Sequence, residues 1–322
     1  MKNTNPPFVS VVMTSYNRGH YIGQAIDSIL AQECSFPIEI IIGDDGSTDN
    51  SRELLSQYHE KYSDIIVLNF QEHNVGFGPN WASTCKLARG KYIAFLDDDD
   101  YWCDEHRLQE MVDFLESNDE YGLVYTNRYV LDVAKGTMTL TNSFIPENVV
   151  DVCDYLDSGG GFPILFSTTI LRKSLMDKHV NLDDYIRLEI PIQDWPTAML
   201  IAPYCKFHYM EKPSVVYRSY QGSMSKPQEY HQIERKYSKE LIMNRYVHDQ
   251  LGIPFDEPGW YCFYYHLLLS VAYNRGEYKR ARKYAKLTGS HKLKALCAKT
   301  WITFWVFILA KNVWHKIRPR DI

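Results

Sequence analysis

Apolar, strand-like segments alternate with helical patterns along residues 8–117, and this alternation restricts the chain to few folds. The strand-like segments lie near 8–13, 37–43, 65–70 and 91–96, with a helical segment after each. Such alternation predicts βαβ units, and strands that are apolar nearly throughout indicate a sheet covered on both faces. We therefore expect an α/β fold with a mostly parallel central sheet and helices on both faces.

Four consecutive aspartates, Asp97–Asp100, follow the segment 91–96. Open α/β sheets bind ligands just beyond the carboxyl ends of such strands. Clustered carboxylates repel one another, and a hard divalent cation such as Mg²⁺ removes that cost. The simpler interpretation is a solvated acidic turn. A second carboxylate pair at another strand end favours the metal site.

That second pair is Asp44 and Asp45, after the segment 37–43. The next residues suit a turn and a helix start, because Gly46 tolerates a positive φ and Ser47 or Thr48 can cap a helix. Those local effects leave the two aspartates unexplained. Carboxylates at a strand end can accept hydrogen bonds from a base N–H or a ribose hydroxyl, so we expect ligand binding here.

The first strand ends in the loop Thr14–Arg18. Tyr16 has a ring that can stack on a base, and Arg18 lies near a helix start, where it can meet phosphate. Ordinary turn chemistry also explains Arg18 when it is considered alone.

Four segments together resemble glycosyltransferase family 2: residues 9–18, 40–49, Asn74-Val-Gly76 and 92–102. They occur in that family's order and spacing, and the resemblance covers about residues 5–225. It implies a GT-A (Rossmann-like) fold, a nucleotide-sugar donor, a divalent metal and inversion at the anomeric carbon. The donor site implied in this chain comprises Thr14, Tyr16, Arg18, Asp44, Asp45, Asn74, Asp97, Asp98 and Arg218.

The resemblance also gives the acidic residues separate roles. Asp99 is the first choice for a ligand of Mg²⁺ or Mn²⁺, and Asp97 meets the ribose or the metal through water. Asp98 occupies a spacer position of the family pattern. Asp44 or Asp45 reads the base, which favours a UDP or dTDP donor.

A third acidic position, Asp194, lies between Gln193 and Trp195-Pro196. Asp and Pro are both favoured at helix starts, so a capping role explains the motif structurally. The resemblance implies a general base instead, because the family carries an Asp in this context, often preceded by Glu. Here Gln193 stands in the Glu position. Glu189 is the alternative second acid, and the sequence does not decide between them.

The segment 216–223 resembles the end of the family's catalytic domain, where a Tyr-Arg pair precedes a polar loop. Arg218 can approach the diphosphate, hold a catalytic carboxylate in place, or pair with a surface acid. A histidine usually follows this pair by two positions. Tyr220 stands there instead, which puts any metal or phosphate role of that histidine in doubt.

The rest of the chain is less regular. Residues 123–126 indicate a further strand, 132–161 are irregular and 164–172 form an extended run. The pattern predicts a helix over 197–202 and helices from 229 onward. We expect a catalytic domain at 1–225 and a helical extension at 226–322.

The C-terminal end is strongly basic. Residues 275–322 hold 13 Lys and Arg against 2 Asp and Glu, whereas the whole chain has a net charge of −5. The uncharged run 300–310 is too short to span a bilayer, which needs about 20 residues. Its two tryptophans, flanked by basic residues, suit a helix in the headgroup layer. Packing of this run on the protein core is the alternative, and no binding motif supports a nucleic-acid partner.

The resemblance, together with the basic C-terminal end, implies an inverting, metal-assisted glycosyltransferase acting on a glycan or lipid-linked acceptor in cell-surface polysaccharide synthesis. Seven cysteines without a C-x-x-C pair and a polar start indicate a cytoplasmic protein, peripheral on the cytoplasmic face of the inner membrane. A nucleotide-sugar-binding scaffold without turnover and a metal-dependent nucleotidyltransferase are the alternatives. The second would normally carry a glycine-rich, basic phosphate loop, which residues 14–18 lack.

Overall fold

The computed structural model describes residues 6–141, 164–220 and 230–290. The chain divides into two compact units, Met1–Gly252 and Ile253–Ile322. The first unit contains a sheet with helices, and its described part extends past the expected domain boundary at 225 to include a long helix. The second contains two described helices.

In the first half, strands and helices alternate as predicted, and the four predicted strands lie within two residues of their expected positions. The elements are β1 (Val9–Ser15), α1 (Ile22–Leu30), β2 (Ile38–Asp44), α2 (Ser51–Lys61), β3 (Ile66–Phe70), α3 (Phe77–Cys85), β4 (Tyr92–Phe95), β5 (Tyr101–Trp102) and α4 (Arg107–Ser117).

The second half is more irregular and includes two short 3₁₀ helices, Phe166–Thr168 and Ala202–Tyr204. Its strands are β6 (Tyr121–Asp132), β7 (Thr137–Leu140), β8 (Thr169–Arg172) and β9 (Lys206–Ser219). Its helices are α5 (Lys173–His179), α6 (Leu182–Arg187), α7 (Asp194–Ile201), α8 (Tyr230–Leu251), α9 (Glu257–Asn274) and α10 (Tyr278–Ser290).

In the described residues, nine strands form one sheet in the order β3-β2-β1-β4-β8-β6-β9-β5, with β7 beside β6. The pairs among β1 to β4 are parallel, and so is the pair β6–β9. β8 runs antiparallel to both of its neighbours, and β5 runs antiparallel to β9. The mostly parallel sheet is therefore found in the first half, while the second half is mixed. Apolar patterning marks a strand but does not fix its direction, because long connections allow either one.

Three local expectations need correction. The extended run 164–172 is divided between a 3₁₀ helix and β8. The irregular stretch 132–161 contains strand β7, and residues 142–163 lie outside the described part. The helix expected at 197–202 begins earlier, so Asp194 is its first residue rather than its preceding cap.

The core of the first unit lies on both faces of the parallel strands. Val9, Val11 and Met13 of β1 are at most 1% exposed and pack in one cluster with α1, α2 and α4. Helix α3 covers the opposite face, where Trp81 packs against Phe95 with ring centroids 5.9 Å apart. Fully burying one such apolar side chain contributes about 1.5–3 kcal/mol. This two-sided burial fixes the register that brings the carboxyl ends of β1, β2 and β4 to one edge.

In the described part of the second unit, α9 and α10 form a helical hairpin. Asp256 caps α9 by accepting a hydrogen bond from the backbone N–H of Gly259 at 3.0 Å. Gly276 adopts φ +73° at the turn between the helices. Leu268 and Ala272 are fully buried, which supports packing of α9 against α10. Among the helices of the described residues, none combines the length and apolar character needed to cross a membrane.

Candidate active site

The acidic turn, Asp97–Asp100, follows β4 at the edge where the parallel strands end. Ser167 Oγ donates to Asp97 Oδ2 at 3.0 Å and accepts from the Asp97 backbone N–H at 3.1 Å. Asp98 Oδ2 accepts from the backbone N–H of Tyr16 at 3.3 Å. The 3₁₀ helix Phe166–Thr168 thus binds the carboxylate of Asp97, and the loop after β1 binds that of Asp98.

Arg218 supports the acidic turn from β9. Its backbone N–H donates to Asp100 Oδ1 at 2.9 Å, and its guanidinium donates to the carbonyl oxygen of Asp99. The guanidinium carbon lies between two aromatic rings, 4.8 Å from the centroid of Tyr21 and 4.7 Å from that of Tyr101. Arg218 is only 5% exposed. Of its three predicted roles, holding carboxylates in place is the one these contacts match.

Asp99 faces a different set of partners from the rest of the turn. Its Oδ2 accepts a 2.5 Å hydrogen bond from the Tyr220 hydroxyl and lies 3.8 Å from Nε of Arg18. The side chains of Arg18 and Asp99 are 25% and 21% exposed. This is the part of the turn where a charged ligand can meet both a carboxylate and a guanidinium.

Asp97, Asp98 and Asp100 of the acidic turn have raised pKa values. Burial, the charge of Asp99 and the charge of Asp194 raise the pKa of Asp97 to about 7. Burial and neighbouring carboxylates raise the pKa values of Asp98 and Asp100 well above their ordinary range. Carboxyls close to one another are costly to ionise together, and a cation among them offsets that cost.

Asp194 lies close enough to the acidic turn for its charge to raise the pKa of Asp97. Its Oδ1 accepts from the backbone N–H of Trp195 at 2.7 Å. Burial raises the pKa of Asp194 to about 6, while the Trp195 N–H and the charge of Arg128 oppose that rise. The fold thus brings Asp194 near the acidic turn, although the two are far apart in the sequence.

Arg128 is a site residue that the sequence reasoning missed. It lies on β6, paired with Val215 of β9, and burial lowers the pKa of its guanidinium. The charges of Asp100 and Asp194 oppose that shift, so Arg128 lies within electrostatic range of both. The sequence feature that could have indicated Arg128 is its position as the lone basic residue in the segment that forms β6, which is rich in apolar and aromatic residues.

Asp44 and Asp45 accept hydrogen bonds from other groups of the protein. Asp44 is fully buried, and its Oδ2 accepts from Arg52 Nε at 2.6 Å and from the Ser47 backbone N–H at 3.0 Å. Asp45 is 4% exposed and accepts from the backbone N–H groups of Val75 and Gly76 at 2.7 and 3.0 Å. Both oxygens of Asp45 and Oδ2 of Asp44 are therefore engaged within the protein, while Oδ1 of Asp44 is buried without a hydrogen-bond partner among the described residues.

Backbone geometry brings these loops close together. Gly46 has φ +72°, and a Cβ there would lie 2.7 Å from the backbone nitrogen of Asn74. Asn17 also has a positive φ, 54°, and its Oδ1 accepts from the Thr48 backbone N–H at 2.8 Å. The left-handed region is costly for most residues but is tolerated by Gly and Asn.

Thr14, Tyr16 and Asn74 complete the predicted donor site. Thr14 is 8% exposed at the end of β1, whereas the ring of Tyr16 is 42% exposed. Asn74 is exposed in the loop whose next two N–H groups bind Asp45. Tyr16 therefore offers an accessible aromatic face at the edge where the parallel strands end.

The two candidate helpers of Asp194 differ in their surroundings. Gln193 directly precedes Asp194 and is 8% exposed. Glu189 has a positive φ of 49°, and its Oε2 accepts from Lys239 Nζ of α8 at 2.5 Å. The carboxylate of Glu189 is thus paired with α8.

The acidic turn fits a divalent cation by the chemistry of its donors. In the described part of the chain, no group of three or more His, Cys, Asp or Glu side chains is arranged as a complete metal cage. Mg²⁺ does not need one, because it is commonly held by one or two carboxylates together with substrate phosphates. The turn supplies hard oxygen donors whose mutual repulsion a cation would relieve.

Residues 10–179, more than half of the chain, match the family model described as Glycosyl transferase family 2. The chain belongs to glycosyltransferase family 2. The matched range includes Asp44, Asp45 and the acidic turn, and it ends before Asp194. The predicted family and the enzyme class, a glycosyltransferase, are confirmed.

Curated relatives of this glycosyltransferase are similar over about a third of its length. An uncharacterized protein of Mycobacterium bovis is 36% identical over 112 residues, which is 35% of this chain and 32% of that protein. TuaG of Bacillus subtilis, a putative teichuronic acid biosynthesis glycosyltransferase, is 40% identical over 110 residues, 34% of this chain and 42% of that protein. The match thus covers a third to two fifths of the length of these relatives.

Solved structures agree on the fold. The structure of residues 1–349 of S. aureus TarS is similar with a TM-score of 0.55 at 18% identity, over 92% of this chain and 78% of that one. The same TarS fragment in complex with UDP-GlcNAc gives a TM-score of 0.53. The predicted GT-A fold, with a helical C-terminal region, is confirmed.

Proposed function

We propose that this glycosyltransferase transfers a sugar from a UDP or dTDP donor to a hydroxyl group of a glycan or lipid-linked acceptor, with inversion at the anomeric carbon. The observation that carries the proposal is Asp194, which lies within electrostatic range of the acidic turn at the carboxyl edge of the sheet. A carboxylate beside a cluster suited to a cation and a diphosphate can deprotonate a hydroxyl next to the donor.

Asp194 acts as the general base in this proposal. Its pKa of about 6 leaves it mainly ionised at neutral pH, yet basic enough to take a proton. As the acceptor oxygen bonds to the anomeric carbon, its proton passes to Asp194 and the bond to the diphosphate oxygen breaks. The N–H of Trp195 orients the carboxylate, and the charge of Arg128 keeps it ionised.

The donor site proposed here joins the loops at the carboxyl edge of the sheet. Tyr16 offers its exposed ring to the base, and Arg18 offers its guanidinium to the diphosphate. Thr14, Asn74 and Asp98 line the same edge, Asp44 and Asp45 shape the base end, and Arg218 holds the acidic turn. TarS, which shares the fold, has been seen with UDP-GlcNAc, and this supports a UDP-sugar donor.

Asp99 and Asp97 would hold Mg²⁺ or Mn²⁺. When bound, the cation neutralises negative charge on the departing diphosphate. Asp99 is the first choice of ligand, because its side chain is 21% exposed beside Arg18, where a diphosphate can approach.

We also propose a role in cell-surface polysaccharide synthesis, at the cytoplasmic face of a membrane. The similarity to TuaG supports the pathway class. Support for the location comes from the basic C-terminal end, because α10 carries Lys279, Arg280, Arg282, Lys283 and Lys286. Each basic residue near an anionic leaflet contributes about 1 kcal/mol. The run 300–310 lies outside the described residues.

Vesicle binding tests the membrane location. The full chain should sediment with anionic vesicles, and a chain lacking residues 291–322 should bind them more weakly because seven basic residues are removed. Equal sedimentation of both chains would contradict the role of this segment.

A donor panel tests the reaction. UDP- and dTDP-sugars are incubated with a lipid-linked oligosaccharide acceptor, with Mn²⁺ or with EDTA, and the released nucleoside diphosphate and the product anomer are measured. We expect release from one donor class with Mn²⁺ and a product of inverted configuration. Retained configuration, or equal release in EDTA, would contradict the proposed mechanism.

A further inference from the structure

Asp99 Oδ2, the proposed metal-ligand oxygen, is already occupied by donors of the chain itself. The hydroxyl of Tyr220 lies 2.5 Å from it and donates a hydrogen bond. Nε of Arg18 lies 3.8 Å from the same oxygen, and the guanidinium carbon of Arg18 is 5.8 Å from the Tyr220 ring centroid. These three residues form one compact group, the Asp99 triad.

A divalent cation and the Tyr220 hydroxyl compete for this oxygen. The cation needs the lone pairs of the carboxylate, whereas the hydroxyl directs a proton at them. Hydrogen bonds to charged groups are about twice as strong as neutral ones, so displacing the hydroxyl has a measurable cost. Arg18 adds a second cost, because its positive charge repels the incoming cation.

A bound diphosphate lowers both costs of cation binding at Asp99. Arg18 is partly exposed, and its guanidinium can turn from Asp99 to the phosphate oxygens. Those oxygens also supply metal ligands in addition to the carboxylates of the acidic turn, since Mg²⁺ usually binds with substrate phosphates. The cation and the nucleoside diphosphate should therefore bind together more favourably than either binds alone.

We infer that Tyr220, together with Arg18, occupies Asp99 in the free enzyme and keeps its affinity for divalent cations low until a nucleoside diphosphate binds. This inference rests on the proposed metal site at Asp99. It makes Tyr220 a positioning residue that couples cation binding to donor binding. Linkage requires the coupling to be reciprocal, so the cation must strengthen nucleotide binding by the same factor.

Isothermal titration of the full chain with Mn²⁺, with and without UDP, tests the inference without turnover. In the native enzyme we expect UDP to strengthen Mn²⁺ binding by about tenfold or more, within the usual range of coupling between sites. Tyr220→Phe keeps the ring, and its packing 5.8 Å from the Tyr21 ring, but removes the hydroxyl. This variant should bind Mn²⁺ about tenfold more tightly without UDP, with a smaller gain from UDP.

Tyr204→Phe is the matched control, because Tyr204 is 57% exposed and stacks on His179 rather than on the site. It should bind Mn²⁺ as the native chain does. Native or weaker Mn²⁺ affinity in Tyr220→Phe without UDP would overturn the inference, because the hydroxyl would then not be restraining Asp99.

Asp99→Asn separates this inference from the proposed function. Loss of Mn²⁺ binding in Asp99→Asn, together with tighter binding in Tyr220→Phe, supports both. Loss in Asp99→Asn with native affinity in Tyr220→Phe leaves the metal site standing and overturns the inference alone. Native Mn²⁺ binding in Asp99→Asn overturns the metal site and the inference with it.

Discussion

The pair Asp44–Asp45 and the acidic turn Asp97–Asp100 look alike in the sequence, since each is a carboxylate cluster directly after a buried strand. In the structure they differ in what surrounds the oxygens. The pair accepts hydrogen bonds from Arg52 and from three backbone N–H groups. Burial and neighbouring carboxylates raise the pKa values of Asp97, Asp98 and Asp100 in the turn. Asp44 is paired with Arg52 at 2.6 Å, and such pairing stabilises the fold, whereas a cluster of four consecutive aspartates favours an external cation.

The difference between the two acidic clusters predicts that acidic residues near the turn are needed for catalytic activity. Asp194→Asn should lower kcat by about 10²–10⁴-fold, the usual contribution of a general base. UDP affinity should stay near the native value, because the substitution leaves the diphosphate region intact. Steady-state kinetics and titration with UDP measure the two effects. Asp177→Asn is the control, since Asp177 is an exposed partner of Lys173, and native kcat in Asp194→Asn would contradict the account.

For the pair Asp44–Asp45 we predict a loss of stability. Asp44→Asn should lower the free energy of unfolding by about 2–3 kcal/mol, because the fully buried Asp44 loses a charged hydrogen bond while Arg52, 34% exposed, stays partly solvated. Chemical denaturation measures this, and Arg52→Gln in a double-mutant cycle isolates the coupling energy. Additive effects of the two substitutions would show that the 2.6 Å contact contributes little.

Asp97→Asn should have the opposite effect on stability. The folded-state pKa of Asp97, about 7, lies above the ordinary Asp value of 3.8, so ionisation opposes folding. The native chain therefore loses stability as pH rises from 4 to 7, and the variant lacks that loss. Its advantage should reach about 2 kcal/mol at pH 7, since each pKa unit is about 1.4 kcal/mol and the site is partly solvated.

Melting curves of both chains at pH 4, 5.5 and 7, without divalent cations, measure this difference. A stability difference that does not change with pH would show that Asp97 titrates normally. Asp183→Asn serves as the control, because its carboxylate is 80% exposed and bound to Lys86.

The smallest expected effect concerns Ser167, which donates to Asp97. Ser167→Ala should destabilise the fold by about 1 kcal/mol, the usual net contribution of one hydrogen bond. It should also raise the pKa of Asp97 further, because the lost bond favours the ionised form. NMR titration of the Asp97 carboxyl carbon measures the shift, and an unchanged or lower pKa would contradict the assigned contact.

Local patterns in the sequence were sufficient to predict the parallel half of the sheet, the acidic turn and the position of Asp194 at a helix start. Each of these depends on residues near in sequence, such as an apolar run followed by carboxylates. Arg128 and the Tyr220–Asp99 hydrogen bond were not predictable in the same way, and the sequence left three roles open for Arg218. They arise where β6 and β9 meet the turn after β4, and side-chain direction across such distant pairings leaves no local pattern.

The pH dependence of kcat/KM for the acceptor in the native chain and in Asp194→Asn tests the central claim most directly. With saturating donor and Mn²⁺, native kcat/KM should fall about tenfold per pH unit below an apparent pKa near 6, as Asp194 becomes protonated. The residual activity of Asp194→Asn should lack this fall. A native profile that is flat between pH 5 and 7.5, or the same fall in the variant, would contradict the assignment of Asp194 as the base.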